Sequence, residues 1–291
     1  MTWFFLYYEY QREELIMKLR KQIAIKATSK AAVKDQLISI KPSDHSMKPV
    51  PCDFDPNKHV FKFATKKGNN IKLGNIASWS TVYSAKPVFI KYLNGYVQGT
   101  CGKECSNKNG CEKACYVDRS YYKPGVPYGH AMNTIGLRTA REKVFADLDK
   151  QLTKSRTISM VRLNQSGDIE SENEFLMWCR LAEKHPNVKF YIYTKQYKHV
   201  ERPLLNGMVP GNFQVNYSIW HKHGIEDFNR VKHVKNVSAF VYDDGELYMD
   251  IPKADYCAAY DDKGHMNHKI TCAVCKKCLN GKTKVIGCKA H

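Results

Sequence analysis

Two groups of cysteines are the residues of this sequence best suited to chemistry. The first lies in the segment TCGKECSNKNGCEKACYVDRSYY, where four cysteines fall within fifteen positions: Cys101, Cys105, Cys111 and Cys115. Their gaps of three, five and three residues lack the two-residue knuckles that zinc ribbons and fingers favour. Three thiolates on one loop can instead bind three irons of a [4Fe–4S] cluster and leave the fourth iron open for a substrate or cofactor. The spacing therefore indicates an iron–sulfur cluster, with zinc and unligated thiols as the alternatives.

The second group lies near the C-terminus, in the run TCAVCKKC. Here Cys272, Cys275 and Cys278 form two overlapping C-x2-C units, which let one loop wrap a metal with adjacent thiolates. Such a C-x2-C-x2-C run is typical of [4Fe–4S] sites. Fourteen residues separate Cys257 from Cys272, and Cys257 with three of the other cysteines would make a zinc site; Cys288 lies further on. Both metals therefore stay open, and three histidines are alternative ligands: His265, His268 and His291.

The eleven cysteines of the chain are expected to be reduced. The start MTWFFLYYEYQREELIMKLRK has no basic n-region and no small-residue cleavage site, so it is not read as a secretory signal. No later run approaches the length needed to span a bilayer. We therefore expect a cytoplasmic protein with no membrane partner, whose clustered thiols bind metal. Cys179, next to Trp178 in a predicted helix, is expected to be a core thiol, and Cys52 is given no role.

The charge balance of the chain points to an anionic partner. It has 46 Lys and Arg against 28 Asp and Glu, for a formal net charge of +18. Such an excess favours binding of nucleic acid, and less often of a membrane surface. The alternative is a lysine-rich solvated surface, because the charge is spread along the chain and does not form one tail.

Hydrophobic patterning predicts repeated βα units. Predicted strands begin near residues 76, 158, 188, 213 and 237, and predicted helices cover 137–152, 171–184 and about 225–233. Repeated units with apolar strands imply an α/β fold with a parallel sheet covered by helices. A partial (β/α) barrel with cysteine-rich metal-binding loops is the first prediction, and a doubly wound open sheet is the second. The predicted domains are a basic N-terminal extension (1–70), the barrel core (71–250) and a cysteine-rich metal-binding segment (251–291).

Polar residues follow the predicted strands where either fold would place its site. Asn164–Asp168 follows the second strand and Tyr193–Lys195 the third. Asn216 and Ser218 lie in the fourth, and Asp243 ends the fifth. Because the carboxyl ends of parallel strands carry the chemistry in α/β folds, we expect these side chains to gather at one site. Each one alone is equally typical of an ordinary turn.

Several motifs in order resemble a known family. Cys105, Cys111 and Cys115 are followed by Tyr116, and RLNQSGDIESENEFLMWCRLAEKHPNVKFYIYTK then spans 162–195. The chain resembles the phage-borne gene product 88 family in four features. These are the cysteine–tyrosine pattern, the SGD strand end, the helix with tryptophan and the YTK strand end. The late cysteines that begin at Cys272, together with His291, also fit the family pattern. The resemblance covers about residues 70–291 and leaves the N-terminal extension out.

That family is itself similar to radical S-adenosylmethionine (SAM) iron–sulfur enzymes, and the resemblance implies a site. It would place a [4Fe–4S] cluster on Cys105, Cys111 and Cys115, with the choice between Cys101 and Cys105 as first ligand left open. Ser166, Gly167 and Asp168 would hold the amino group of SAM. Radical SAM enzymes usually show C-x3-C-x2-C, whereas the last two gaps here are five and three residues.

The combined prediction is an iron–sulfur enzyme of radical SAM type that generates an adenosyl radical to modify a substrate. The expected substrate is a nucleic acid. Lys195, Asn216 and Asp243 are predicted to contact SAM or substrate, and the C-terminal cysteines to hold a second cluster. Such an enzyme needs an electron donor, and its place would be the host cytoplasm. The alternative is a non-enzymatic phage protein that binds nucleic acid and is stabilised by zinc. The sequence predicts neither the catalytic residues nor the oligomeric state.

Overall fold

A computed structural model describes most of the chain beyond the first 57 residues. The described ranges are 58–65, 71–84, 88–90, 95–102, 111, 115, 117, 125–220, 222–243, 249–261, 263–267 and 269–289. Most of the predicted N-terminal extension lies outside these ranges, as do Cys52, Cys105, His268 and His291.

A six-stranded parallel sheet lies at the centre of the protein, in the order β1-β4-β5-β6-β7-β8. Its strands are β1 (Ala77–Ser78), β4 (Met160–Leu163), β5 (Lys189–Thr194), β6 (Phe213–Ile219), β7 (Val237–Asp243) and β8 (Val285–Lys289). A separate antiparallel pair consists of β2 (Val88–Ile90) and β3 (Gly95–Val97).

Helices connect most neighbouring strands of the sheet. They are α1 (Gly125–Thr139), α2 (Arg141–Lys154), α3 (Glu172–Lys184), α4 (Tyr197–Leu205) and α5 (Lys222–Val231). The connection from β7 to β8 instead carries the cysteine run, in two single-turn helices, α6 (Cys272–Cys275) and α7 (Lys277–Asn280). Two short 3-10 turns occupy Ile71–Leu73 and Lys253–Asp255.

The two faces of the sheet are covered by different parts of the chain. Along β5, Phe190 and Ile192 belong to the large core that includes the apolar residues of α2 to α5. The alternate residue Tyr191 packs instead with Leu73 and Leu279, and partly buried Tyr193 and Cys278 lie against them. Because successive side chains of a strand point to opposite faces, the cysteine segment covers the face of the sheet that helices α2 to α5 leave uncovered.

The structure confirms the α/β class and the parallel sheet. Strand order follows chain order, so the sheet lacks the reversal that marks a doubly wound fold. The partial barrel stays a prediction, as do the three domain boundaries. Strand β8 lies within the predicted cysteine-rich segment 251–291, yet it pairs with β7 and completes the sheet.

The predicted elements differ from the observed ones in three places. The strand expected from residue 76 is regular only at Ala77–Ser78, although Trp79 and Thr81 continue to bond to the segment after β4. The helix expected over 137–152 is two helices that meet at Ala140. Helix α4 was not predicted, since it is nine residues long, has no side-chain N-cap and contains Pro203.

Ser171 and Glu174 have the sequence spacing of a capping box at the start of α3, and one of its two hydrogen bonds forms. The Ser171 hydroxyl accepts a hydrogen bond from the Glu174 backbone N–H at 3.2 Å. Glu174 does not return the bond to Ser171. Its two carboxylate oxygens instead accept from the Glu170 backbone N–H and from the Trp178 indole. Burial raises the pKa of the Glu174 carboxyl to about 7, despite these donors.

This buried carboxyl should make stability depend on pH. Its folded-state pKa lies above the ordinary 4.5, so its stabilising contribution is present in full below pH 4.5 and is lost as pH rises through 7. We expect about 3 kcal/mol of unfolding free energy to be lost by this route, at about 1.4 kcal/mol per pKa unit. Glu174→Gln should remove that slope, in denaturant titrations at pH 5.5 and 8.5. If the stability of Glu174→Gln fell with pH as steeply as that of the native protein, another group would be responsible for the dependence. As a control, Ser171→Ala should lower stability about equally at both pH values.

Candidate functional site

A cavity opens where the carboxyl ends of the sheet strands meet the cysteine segment. Its lining includes both predicted cysteine groups and the polar strand ends. The polar residues of the lining that the sequence had singled out are Asn164, Ser166, Gly167, Asp168, Lys195 and Ser218. The cysteines are Cys101, Cys111, Cys115, Cys257, Cys272, Cys275, Cys278 and Cys288. The structure therefore brings together residues that lie up to 187 positions apart in the chain, from Cys101 to Cys288.

Gly167 fits its place for two reasons. Its φ of 74° lies in the left-handed region, which side chains with a Cβ adopt rarely. A Cβ at this position would also collide with the hydroxyls of Thr81 and Thr100. These hydroxyls lie 2.8 Å apart in a hydrogen bond, and the Thr100 hydroxyl also accepts from the Asp168 backbone N–H at 2.8 Å. The SGD turn is thus packed directly onto the segments that follow β1 and β3.

The Asp168 carboxylate is buried at the cavity wall and held by three donors. One oxygen accepts from the Thr194 hydroxyl and from the Ile169 backbone N–H, and the other from the Lys195 backbone N–H, each at 2.8 Å. Burial raises the pKa of Asp168 to about 6, and the three donors oppose that rise. The group therefore changes charge close to neutral pH, next to the space where a ligand would lie.

Lys195 and two aromatic rings form the next part of the wall. The Lys195 ammonium donates to the Ser218 hydroxyl at 3.1 Å and lies 5.1 Å from the centroid of the Trp220 ring. The Trp220 indole N–H donates to the same hydroxyl at 3.1 Å. Trp220 stacks on Tyr242 with centroids 3.8 Å apart and planes at 11°. This stack could not be predicted from sequence patterns, because its two rings come from the ends of different strands.

Asn164 is a candidate functional residue that the sequence pattern indicated only as part of the segment Asn164–Asp168. It has a φ of 51° and is 5% exposed, and neither polar atom of its amide has a hydrogen-bond partner among the described residues. The Ser166 hydroxyl is likewise buried without a partner. A buried polar group left unpaired costs about 1–3 kcal/mol. Strain and unpaired polar groups together are typical of sites that bind something.

Asn164→Gly should separate stability from binding. Glycine accepts the left-handed φ without strain and removes the unpaired amide, while its extra unfolded-state freedom costs about 0.5–1 kcal/mol. We expect the variant to be about 1 kcal/mol more stable than the native protein in urea unfolding, and to bind the ligand of the cavity more weakly. Asn164→Ala, which keeps the strained φ, should gain less. A glycine variant less stable than the native protein would mean that the amide contributes to folding.

Two residues predicted to contact SAM or substrate have other contacts. Asn216 donates to the backbone carbonyls of Ile192 and Cys278, at 3.1 Å each. Asp243 lies 2.6 Å from the Lys289 ammonium and accepts from the Tyr256 hydroxyl at 2.7 Å. Neither Asn216 nor Asp243 is among the residues that line the cavity. Both hold the C-terminal segment against the sheet, and their predicted ligand contacts stay predictions.

The first cysteine group is described at three of its four positions. Cys101 and Cys111 are buried and Cys115 is half-buried, whereas Cys105 lies outside the described residues. The backbone of Cys101 is fixed at both ends. Its N–H donates to the Ser84 hydroxyl at 3.1 Å, and its carbonyl accepts from the Gln196 amide at 2.6 Å. The start of the loop is therefore tied to the turn after β5, beside Lys195.

The second cysteine group lines the same cavity. The neighbouring Cys288 thiol, together with the nearby Lys72 ammonium, lowers the pKa of the Cys257 thiol to about 5. Burial raises the pKa of the Cys278 thiol to about 12, although the nearby Tyr193 hydroxyl opposes that rise. By contrast Cys179 is a core thiol on α3, as predicted, and burial raises its pKa to about 12.

The donors at this cavity suit a soft metal. Thiolates select zinc and iron–sulfur clusters, whereas magnesium and calcium prefer oxygen ligands. In the part of the chain that the structure describes, no three His, Cys, Asp or Glu side chains are grouped so that they could hold a metal ion. The ligand sets for iron–sulfur and for zinc therefore both stay predictions, and Cys105 is not described.

Comparison with known proteins identifies a family and no closer relative. A sequence model of the family described as gene product 88 matches residues 60–281, about three quarters of the chain. No curated protein and no solved structure matches the chain. Within the described ranges, no helix has both the length and the apolar character needed to cross a membrane.

Proposed function

We propose, for a chain that belongs to the gene product 88 family, that it is an iron–sulfur enzyme of radical SAM type. The observation that carries the proposal is the single cavity whose walls include both cysteine groups and the SGD strand end. Sites of parallel α/β proteins lie at this edge of the sheet, where the loops after the strands meet. A purely structural metal site would not need a cavity with polar strand ends beside it.

The first cysteine loop would hold the cluster. Cys111 and Cys115 line the cavity, and Cys101 and Cys105 are the alternatives for the remaining ligand. When bound, a reduced [4Fe–4S] cluster with one open iron supplies an electron that cleaves a carbon–sulfur bond of SAM and yields an adenosyl radical. An electron donor is needed to reduce it.

Asp168 would receive the amino group of SAM. Its carboxylate already accepts three hydrogen bonds, and each carboxylate oxygen has two lone pairs, so capacity for one further donor remains. An ammonium would also stabilise the ionised form of a carboxyl whose pKa burial has raised to about 6. Thr194 and Lys195 fix the orientation of the carboxylate, so binding requires little further loss of side-chain freedom.

The aromatic and cationic parts of the wall support an anionic substrate or cofactor group. Among the described residues of the lining, the cations are Lys72, Arg162, Lys195, Lys276 and Lys277, and the carboxylate is Asp168. The stacked Trp220 and Tyr242 offer flat apolar surface next to Lys195. Nucleic acid as the substrate stays a prediction that rests on the net charge of +18 and on this lining.

The test is the metal and sulfide content of protein purified without oxygen, together with its visible spectrum. We expect a brown protein with about four irons and four sulfides for each cluster. Adding SAM to the reduced protein should change its electron paramagnetic resonance spectrum. A colourless protein with stoichiometric zinc would contradict the proposal and favour the zinc-stabilised alternative.

A further inference from the structure

Cys288 lies outside the predicted ligand set, and the structure places its strand beside Cys257. It lies on β8, beyond the end of the family match at residue 281. The Cys257 backbone N–H donates to the Gly287 carbonyl at 2.7 Å, and Tyr256 forms a parallel bridge with Gly287. The Cys257 segment thus lies along β8 as an additional strand would, and this pairing sets the two cysteines side by side.

Cys257 and Cys288 are neighbours at the wall of the cavity. The backbone pairing of Cys257 with Gly287 brings Cys288 beside it, and both residues line the same cavity as the cysteine run of α6 and α7. Both cysteines are free, and Cys288 is 3% exposed, with its Sγ 3.7 Å from the Lys289 carbonyl oxygen. Two neighbouring thiols that line a cavity together with further thiols are the donor arrangement from which thiolate-ligated metal centres are built.

The charges around this wall fit an anionic centre. The Lys72 ammonium acts on both Cys257 and Cys288, and Lys277 acts on Cys257. Arg162 acts in the same way on Cys272. A centre held by four thiolates carries net negative charge, and buried negative charge needs cations close by. Cys179 gives the contrast, because it belongs to the same apolar core as Phe175 and Trp178.

We propose that Cys288 and Cys257 are paired ligands of a thiolate-held metal centre, completed by cysteines of the 272–278 run. The shared chemistry is soft-metal ligation, and the occupant is either an iron–sulfur cluster or zinc. The inference rests on the proposed function in one respect, namely that the first cysteine loop holds a cluster of its own. No three described ligand side chains are yet grouped for a metal ion, so metal should draw the run toward the pair and its binding should couple to folding of this segment.

The experiment isolates this centre in the full-length chain. The parent is the triple variant Cys105→Ala, Cys111→Ala, Cys115→Ala, which lacks the first-loop ligands. Iron, zinc and acid-labile sulfide are measured per chain after purification without oxygen, in the parent and with Cys288→Ser or Cys179→Ala added. We expect the parent to hold either about four irons with sulfide or about one zinc. Cys288→Ser should lower that metal content about tenfold or more, since even outer-shell partners change metal affinity about 10–100-fold.

Each outcome decides the inference. A parent without metal would overturn it, and so would a Cys288→Ser variant that keeps the metal of its parent. Cys179→Ala should keep the metal. Circular dichroism checks that Cys288→Ser folds; if it does not, alkylation of the parent with and without a chelator is mapped by mass spectrometry, and a Cys288 thiol that becomes no more reactive when metal is removed would refute the pairing. The proposed function has a separate test in the same measurements. It fails if the native protein holds no more iron than the parent, because the first cysteine loop would then hold no cluster.

Discussion

Replacing Cys105, Cys111 and Cys115 together by alanine should lower the iron content by about four atoms per chain. The physical reason is that a [4Fe–4S] cluster is held only by its thiolate ligands, so removal of three leaves nothing to retain it. The spectral change on addition of SAM should vanish with the iron. The measurement is iron and sulfide per chain, compared with the native protein prepared in the same way.

The matched control for this variant is Cys179→Ala. Cys179 is a buried thiol on α3, 2% exposed and packed in the main core, so its loss should reduce stability without reducing iron. The expectation would be refuted by a triple variant that retains the full iron content. Single variants at Cys101 and at Cys105 then decide which of the two is the first ligand, because only the ligand should cost iron.

Asp168→Asn should weaken SAM binding by about 10–100-fold, since hydrogen bonds to charged groups contribute about 1.5–3 kcal/mol. The substitution keeps the size of the side chain and removes the charge. It also turns an amide NH2 toward one of the three donors that now face the carboxylate, so a moderate loss of stability is expected as well. Equilibrium dialysis with labelled SAM measures the affinity, and circular dichroism shows whether the variant is folded.

Asp149→Asn provides the control carboxylate. Asp149 pairs with Lys184 and His185, and it is absent from the lining of the cavity. Its replacement should leave SAM affinity unchanged. Equal losses of affinity in the two variants would mean that Asp168 acts only through general stability.

The affinity of the native protein for SAM should also rise with pH through about 6. Burial raises the folded-state pKa of Asp168 from 3.8 to about 6, so at pH 5 the group is largely protonated and cannot pair with an ammonium. The sign for folding is the opposite. The raised pKa means that the protonated form stabilises the fold, and this contribution is lost as pH rises from 3.8 through 6. Asp168→Asn should show neither dependence.

The parts of the fold that repeat locally could be predicted from the sequence. Strands β4 to β7 and helix α3 have apolar spacing that only one type of element satisfies, and the Ser171 cap fixes where α3 begins. The sequence also placed the SGD turn after its strand, where Gly167 has the left-handed φ that such a turn requires. These features depend on neighbours within a few residues.

The features that failed prediction depend on distant partners. Strand β8 is only five residues long, and it lies in a segment predicted to bind metal. Asn216 also contacts Cys278, and Asp243 contacts Lys289, so both residues help to hold the C-terminal segment in place; their predicted ligand contacts stay predictions. Neither contact can be inferred from spacing, because each joins elements that are separated by a long connection.

The iron–sulfur and zinc ligand sets show a different limit. Thiol spacing narrows the metal to two candidates, since both accept four thiolates on short loops. The structure adds that both groups face one cavity, which spacing could not reveal. What distinguishes the metals is the content of the purified protein.

The order of the strands has a consequence for biosynthesis. Because β1 and β4 to β8 enter the sheet in the order in which they are translated, each βα unit can dock on a strand that the ribosome has already delivered. The cavity, however, is lined by residues from Lys72 to Cys288, so its lining is complete only after translation has passed β8. A nascent chain stalled before that strand would present an exposed β7 edge and unprotected thiols to the cell.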